Sequence, residues 1–133
     1  MTFGNAILSG FENYANFRGR STRRAFWFWQ LFLLGAGIGL SMIDISWAGV
    51  FALVLPLREF GHTIEESSSM ITRAFFLVAL LPSFAVGARR LHDTGRSGWW
   101  QLLALIPFIG SIVLIVWWCR PSENQNNRFG IAP

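Results

Sequence analysis

The chain has 133 residues, of which 53% are hydrophobic and 14% charged, with a formal charge of +4, a pI near 11.0 and a mean hydropathy of +0.43. That balance leaves too little polar surface to clothe a soluble domain of this size, and the length suits one small domain, so the composition predicts a single membrane domain over 1–133, which the apolar spans below make an all-α integral membrane bundle. The lone cysteine, Cys119, excludes an internal disulfide and a multi-cysteine metal site.

All the basic residues are arginine. Guanidinium forks suit bidentate contact with phosphate or carboxylate, and a genome-wide codon bias would leave the same trace.

In chain order, Phe3, Ile7, Phe11 and Tyr14 are spaced four, four and three. This predicts an amphipathic helix over 3–17 that either lies at the membrane interface or packs on the protein's own helices. Residues 25–43, "AFWFWQLFLLGAGIGLSMI", carry no formal charge and would cover roughly 29 Å as a helix, which fits a first span. Arg18, Arg20, Arg23 and Arg24 precede it, and no small-x-small site clearly follows, so a retained anchor fits better than a cleaved signal.

Residues 44–69 form the expected external segment. Trp47–Leu57 is apolar but too short to cross, and Arg58–Ser69, with Glu59, Glu65, Glu66 and three serines, is expected to be a solvated loop. A second span follows at 70–88, kinked at Pro82, with Arg73 able to snorkel. The segment 89–98 is a cytoplasmic arginine-rich turn.

Residues 99–118 are bracketed by tryptophan pairs, which favours a third crossing. Pro107 and Gly110 divide the same run into pieces too short to cross alone, which favours a re-entrant hairpin. The tail 119–133 is polar. The fold expected is therefore three transmembrane helices plus an N-terminal interfacial helix, with the hairpin as the alternative for the third. Arginine clusters before the first span and between the second and third place the N-terminus and the 89–98 turn in the cytoplasm of a multi-pass protein.

The stretch "RRLHDTGRSGWW" at 89–100 concentrates the chemistry. Thr94 or Ser97 can cap the following helix, and Trp99 and Trp100 can anchor at the headgroups. Adjacent Arg89 and Arg90 point about 100° apart on a helix, so one can meet lipid phosphate while the other faces inward. Asp93 is a natural counterion, so the turn and "FRGRSTRR" are expected to form one cluster with Asp93 and Glu12 as internal acids.

A metal site is not expected, because His92 and Asp93 lack further ligands and His62 falls on the far side. Ser97 near His92 lacks an oxyanion site, so no catalytic role is assigned. Nucleic-acid binding is not expected either, because the arginines sit where topology already requires them. Gly35 and Gly39 form a GxxxG pair suited to close helix approach, and a homo-oligomer is one outcome of that.

The segments "FRGRSTRRAFWFW" at 17–29, "RRLHDTGRSGWW" at 89–100 and "NRFG" at 127–130 together resemble the YhaH-like small bacterial inner-membrane proteins, a domain-of-unknown-function family. The resemblance implies a bacterial inner-membrane location and a compact helical bundle, and it implies no reaction. It marks Arg20, Arg89, Arg90, His92, Asp93, Ser97, Trp100, Arg128 and Gly130 as characteristic positions. Members often have an acid where this chain has Ala25, which would leave Asp93 and Glu12 with more of the compensation. If "NRFG" belongs with the arginine turn, both lie on one side and the third segment is re-entrant.

The function expected is a non-enzymatic adaptor or scaffold, without cofactor. Its cytoplasmic cluster of Arg20, Arg23, Arg24, Arg89, Arg90, His92, Asp93, Arg96, Ser97, Trp100 and Arg128 would bind anionic lipid headgroups or an unknown protein partner. The alternative is a subunit of a small channel or transporter with the cluster at its cytoplasmic mouth.

Overall fold

The structure is a computed structural model that describes residues 1–54, 58–106 and 108–132, with side chains described outside 44–69. Among the described residues the regular elements are all helical: α1 (Phe3–Glu12), α2 (Arg23–Val54), α3 (Arg58–Asp93), a 3₁₀-helix (Gly98–Leu105) and α4 (Ile109–Cys119). Two compact units divide the chain, one made of residues 1–31 and 80–133, the other of 32–79.

Helix α1 begins under the Thr2 hydroxyl, which accepts from the Asn5 N–H, and stops at Glu12 rather than reaching residue 17. Asn13 ends it by folding its side-chain amide onto the Ser9 carbonyl at 3.0 Å, a local bond that competes with helix continuation. Two of its apolar side chains pack on the protein itself. Phe3 meets Phe28 edge to face at 5.7 Å and Phe11 meets Trp29 at 5.2 Å, while the Trp29 ring lies on Gly10.

Two segments, Arg23–Ile43 and Met70–Asp93, are long and apolar enough to cross a membrane, with mean hydropathies of 1.6 and 1.8. In α2, the Thr22 hydroxyl takes the Ala25 N–H and starts the helix just behind the arginines. Pro82 is buried within α3, and the neighbouring Ser83 hydroxyl accepts from Trp29 Nε1 at 3.1 Å. Ala25, Phe26, Trp29, Ala85, Ala88 and Leu91 form the core of the first unit. In the second unit Phe32 meets Phe75 at 6.2 Å. The close helix approach there is at Gly37, which lies against the Phe76 ring, whereas Gly35 and Gly39 face open space. The GxxxG pair is therefore not what packs these helices within the chain.

Helix also occupies the stretch expected to be a solvated loop. Arg58–Ser69 is the first part of α3 because it holds no proline, one glycine and several good helix formers, so nothing in it stops a helix. The side chains of Glu59, His62, Glu65 and Glu66 and the expected external placement of 44–69 lie outside the described residues, as does Pro107.

The third apolar run does not form a continuous crossing. It folds back on itself, so that Trp100 near its start meets Trp117 near its end at 5.6 Å. The turn is made by Ile106, whose N–H reaches the Leu103 carbonyl, and by Phe108, which holds φ at +62°. Gly110 makes the fold-back possible, because a β-carbon there would strike the Leu103 carbonyl. Eight residues of 3₁₀-helix and eleven of α-helix each extend about 16 Å, half of a ~30 Å hydrocarbon layer. The described residues of this run form a helical hairpin and not one continuous helix.

Gly110→Val is expected to open this hairpin and cost about 1–3 kcal/mol, the usual range for overpacking, read as a lower unfolding midpoint in detergent. Gly39→Val, at a glycine with space around it, should leave the midpoint unchanged. Equal effects at the two sites would contradict this account of the fold-back.

Candidate functional site

The α3 helix continues four residues past the start of the expected turn, so Arg90, His92 and Asp93 sit on its last turn and Arg89 just before it. The spacing from Arg90 to Asp93 puts both on one face, where Arg90 Nη1 donates to Asp93 Oδ2. The other carboxylate oxygen accepts Arg20 Nε at 3.0 Å. All three side chains are buried.

Two guanidiniums share one carboxylate, which leaves a buried excess of one positive charge, and backbone carbonyls solvate it. Arg90 gives Nε to the Trp118 carbonyl at 3.0 Å and Nη2 to that of Arg120. Arg20 gives its terminal nitrogens to the carbonyls of Glu123 at 2.5 Å and Gln125 at 2.8 Å. The carbonyls of Trp118 and Arg120 belong to the last turn and cap of α4, whose final carbonyls have no partner within the helix and carry its negative end. Arg23 adds a longer bond to the Cys119 carbonyl at 3.4 Å.

The C-terminus of α3 points into the same cluster and is capped likewise. Its Asp93 carbonyl accepts from the Glu123 N–H, and its His92 carbonyl from Asn127 Nδ2 at 2.9 Å. Thr94 closes the Leu91 carbonyl with its hydroxyl, and Gly95, with φ at +72°, lets the chain reverse. Ser97 then caps the 3₁₀-helix by accepting from the Trp99 N–H.

The segment "FRGRSTRR" docks on this end through backbone as well as charge. The Ser21 N–H reaches the Arg89 carbonyl at 3.0 Å, and His92 Nδ1 faces the Gly19 carbonyl at 3.1 Å. His92 Nε2 accepts from the Gly98 N–H at 3.2 Å, so the neutral ring with its proton on Nδ1 satisfies both contacts. The Phe129 ring stacks on His92 at 4.0 Å, and the Arg128 guanidinium lies over Phe129 at 4.7 Å. The tail motif "NRFG" thus sits on the arginine turn.

The structure sorts the residues expected to form one cluster. Arg20, Arg90 and Asp93 are its interior. Arg90 is fully buried and Arg89 only 7% exposed, so neither presents an open cation to lipid as expected. Arg89 contacts the Ala85 carbonyl, and among the described residues no carboxylate pairs with it.

Arg96 lies over Trp117 and bonds the Thr94 carbonyl. Burial pulls its guanidinium below the ordinary arginine range, with Arg120 adding to the effect and Glu123 opposing it. Trp100 is exposed and leans on Trp117. Arg18, Arg23 and Arg24 are exposed.

Glu12 is exposed and makes no ion pair among the described residues, so it is not the second internal acid. Its helix ends before the cluster, and carbonyl oxygens do the work expected of it. Sequence reasoning missed the tail contacts of Glu123 and Gln125, because a backbone carbonyl leaves no mark in residue type. Among the described residues no three His, Cys, Asp or Glu side chains gather as metal ligands.

Comparison with known proteins places this chain among relatives. A family described as a protein of unknown function (DUF805) matches residues 14–131. The chain is 38% identical over 128 residues to the inner membrane protein YhaH of Escherichia coli K12, covering 95% of this chain and 93% of that one. It is 34% identical over 126 residues to the inner membrane protein YhaI of the same strain, covering 95% and 92%. It is also 35% identical over 95 residues to the uncharacterized protein YiiR, covering 71% and 52%. No solved structure matches the chain.

Removing one partner of a buried ion pair strands the others, so Asp93→Asn is expected to cost about 3–5 kcal/mol. Glu12→Gln, on the exposed surface, should stay within about 0.5 kcal/mol of wild type. Denaturation in detergent checks both, and an unaffected Asp93→Asn would refute the shared-carboxylate account.

Proposed function

This chain belongs to the DUF805 family, and on that footing we propose that it is a small non-enzymatic protein of the bacterial inner membrane. In this reading it is an adaptor or scaffold whose arginine-bearing end lies at the cytoplasmic headgroups. The observation that carries the proposal is how little of its apolar helices the protein covers. Only 11% of the most apolar window of α2 is buried, and 28% of that of α3, whereas the core helix of a soluble protein would be mostly enclosed. Leu31, Leu34, Ile38 and Met42 on α2 are all exposed. The relatives named as inner membrane proteins support the same location.

Two crossings and one inserted hairpin satisfy both length and charge. The hairpin tip, with Leu105 79% and Phe108 83% exposed, enters the hydrocarbon to about half depth. Both its ends return to the arginines, and the positive-inside bias puts that end in the cytoplasm. At the tip, the N–H groups of Ile106, Gly110 and Ile112 donate to carbonyls of the hairpin itself, as burial in lipid favours.

The interior arginines fasten the fold, so the exposed ones are left to meet the membrane surface. Arg18 and Arg24 are exposed and have no side-chain partner among the described residues. Near an anionic leaflet each contributes about 1 kcal/mol of attraction.

In vesicles of mixed phosphatidylglycerol and phosphatidylcholine, spin-labelled phosphatidylglycerol should be enriched at the surface of the protein. The double variant Arg18→Gln, Arg24→Gln should lose most of that enrichment, and so should wild type at about 1 M salt, where the screening length is about 3 Å. Equal enrichment in wild type and variant would count against the proposal.

A further inference from the structure

The first unit carries a groove of about 630 Å³ that the fastening network does not use. Leu81, Phe84 and Ala88, a row on α3, form one wall, and Leu102 of the 3₁₀-helix belongs to the other. Protein interiors are close-packed, and a space this size lies within the roughly 300–1,000 Å³ typical of ligand sites. Its walls are mostly apolar.

One end of the groove differs from the rest. Ser97 and Phe129 line it there. The Ser97 oxygen accepts from the Trp99 N–H, which leaves its own proton to donate. The Arg128 guanidinium lies over the Phe129 ring and spends one nitrogen on the Gly95 carbonyl at 3.4 Å. It is exposed, and among the described residues no carboxylate pairs with it. The nearby Glu123 carboxylate is engaged by Asn127 at 2.8 Å. His92 has both ring nitrogens occupied, so it adds no ligand. An apolar trough with the Ser97 hydroxyl on its lining, and with the open Arg128 cation stacked on the lining ring of Phe129, is complementary to an amphiphile with a single anionic head.

We infer that this groove is the seat of one anionic glycerophospholipid, with an acyl chain along Leu81, Phe84, Ala88 and Leu102 and its phosphate held by Arg128 and the Ser97 hydroxyl. The inference rests on the membrane reading above, and it deepens that reading from a general surface attraction to a defined site. Arg128 supplies charge-assisted donors to the phosphate, and the groove walls select the chain. A zwitterionic lipid with the same chains fills the trough but brings its own cation against Arg128, so it binds more weakly.

The test uses the full chain purified in neutral detergent and mixed with phosphatidylglycerol or with phosphatidylcholine of identical chains, with bound lipid counted by native mass spectrometry. One phosphatidylglycerol per chain is expected to persist, and Arg128→Gln should weaken it about tenfold, the factor for losing one charged hydrogen bond. Leu102→Trp and Leu81→Trp fill the groove from opposite walls, and either one that keeps the wild-type unfolding midpoint should abolish retention. Equal retention of the two lipids, an unchanged Arg128→Gln, or a groove-filled variant that still holds phosphatidylglycerol would each overturn the site. The surface double variant Arg18→Gln, Arg24→Gln should keep this lipid. Loss of retention with intact surface enrichment therefore sinks the site alone, and the converse sinks the surface reading alone.

Discussion

The convergence of two helix C-termini on one buried carboxylate is the constraint from which the rest of this structure follows. Helices α3 and α4 end facing the same small volume, each with carbonyls that have no partner inside the helix. Water would normally satisfy them, but the burial of Arg20, Arg90 and Asp93 shuts it out. Guanidiniums suit the gap because each offers five N–H donors in a fixed plane and stays charged when buried. Asp93 holds two of them at the right separation and offsets one of their charges. A lysine at position 20 or 90 would offer fewer donors in no fixed plane, and so could not span a carboxylate and two carbonyls at once.

That fastening decides the path of the last third of the chain. Once Arg90 holds the Trp118 and Arg120 carbonyls, the run from Gly98 to Cys119 must begin and end at the same level. Its apolar residues then have only one way to leave water, a hairpin with its turn residues Ile106 and Phe108 and with Gly110 set against Leu103. The tail that follows is folded onto the turn through Asn127, Phe129 and Arg128. An apolar segment, a cluster of charge and a polar tail are parts of one mechanical arrangement, and the groove beside them is bounded by the same elements.

Much of this was legible in the residues. Asp93 as the counterion of an arginine in "FRGRSTRR" and the division of the third apolar run at Gly110 both point to what the structure shows, whereas the pairing of Arg90 with Asp93 was hidden because 89–93 read as a turn and is helix. Other features were not, for physical reasons. Backbone carbonyls carry half of the cluster, and residue type does not record where a carbonyl will point. Glu12 looked like a counterion because charge balance treats all acids alike, whereas α1 ends before Glu12 can reach the guanidiniums. Serines and glutamates at 58–69 suggested a loop by polarity, yet polarity without a breaker leaves a helix intact. The glycine pair at 35 and 39 matched a packing motif, but Gly37 is where Phe76 approaches, since helix rotation and not spacing alone chooses the contact face.

Because the chain has a single cysteine, which is exposed and ends α4, its sidedness can be read without altering the fold. A membrane-impermeant maleimide applied to intact spheroplasts and to inverted vesicles would label Cys119, and in a Cys119→Ser background a second cysteine placed by Arg18→Cys. If Asp93 and its two arginines tie the end of α4 to the segment before α2, both positions react only in inverted vesicles. Labelling of Cys119 from the outer face while position 18 labels from the inner one would mean that the third run crosses completely, and the fastening described here would not exist in the membrane.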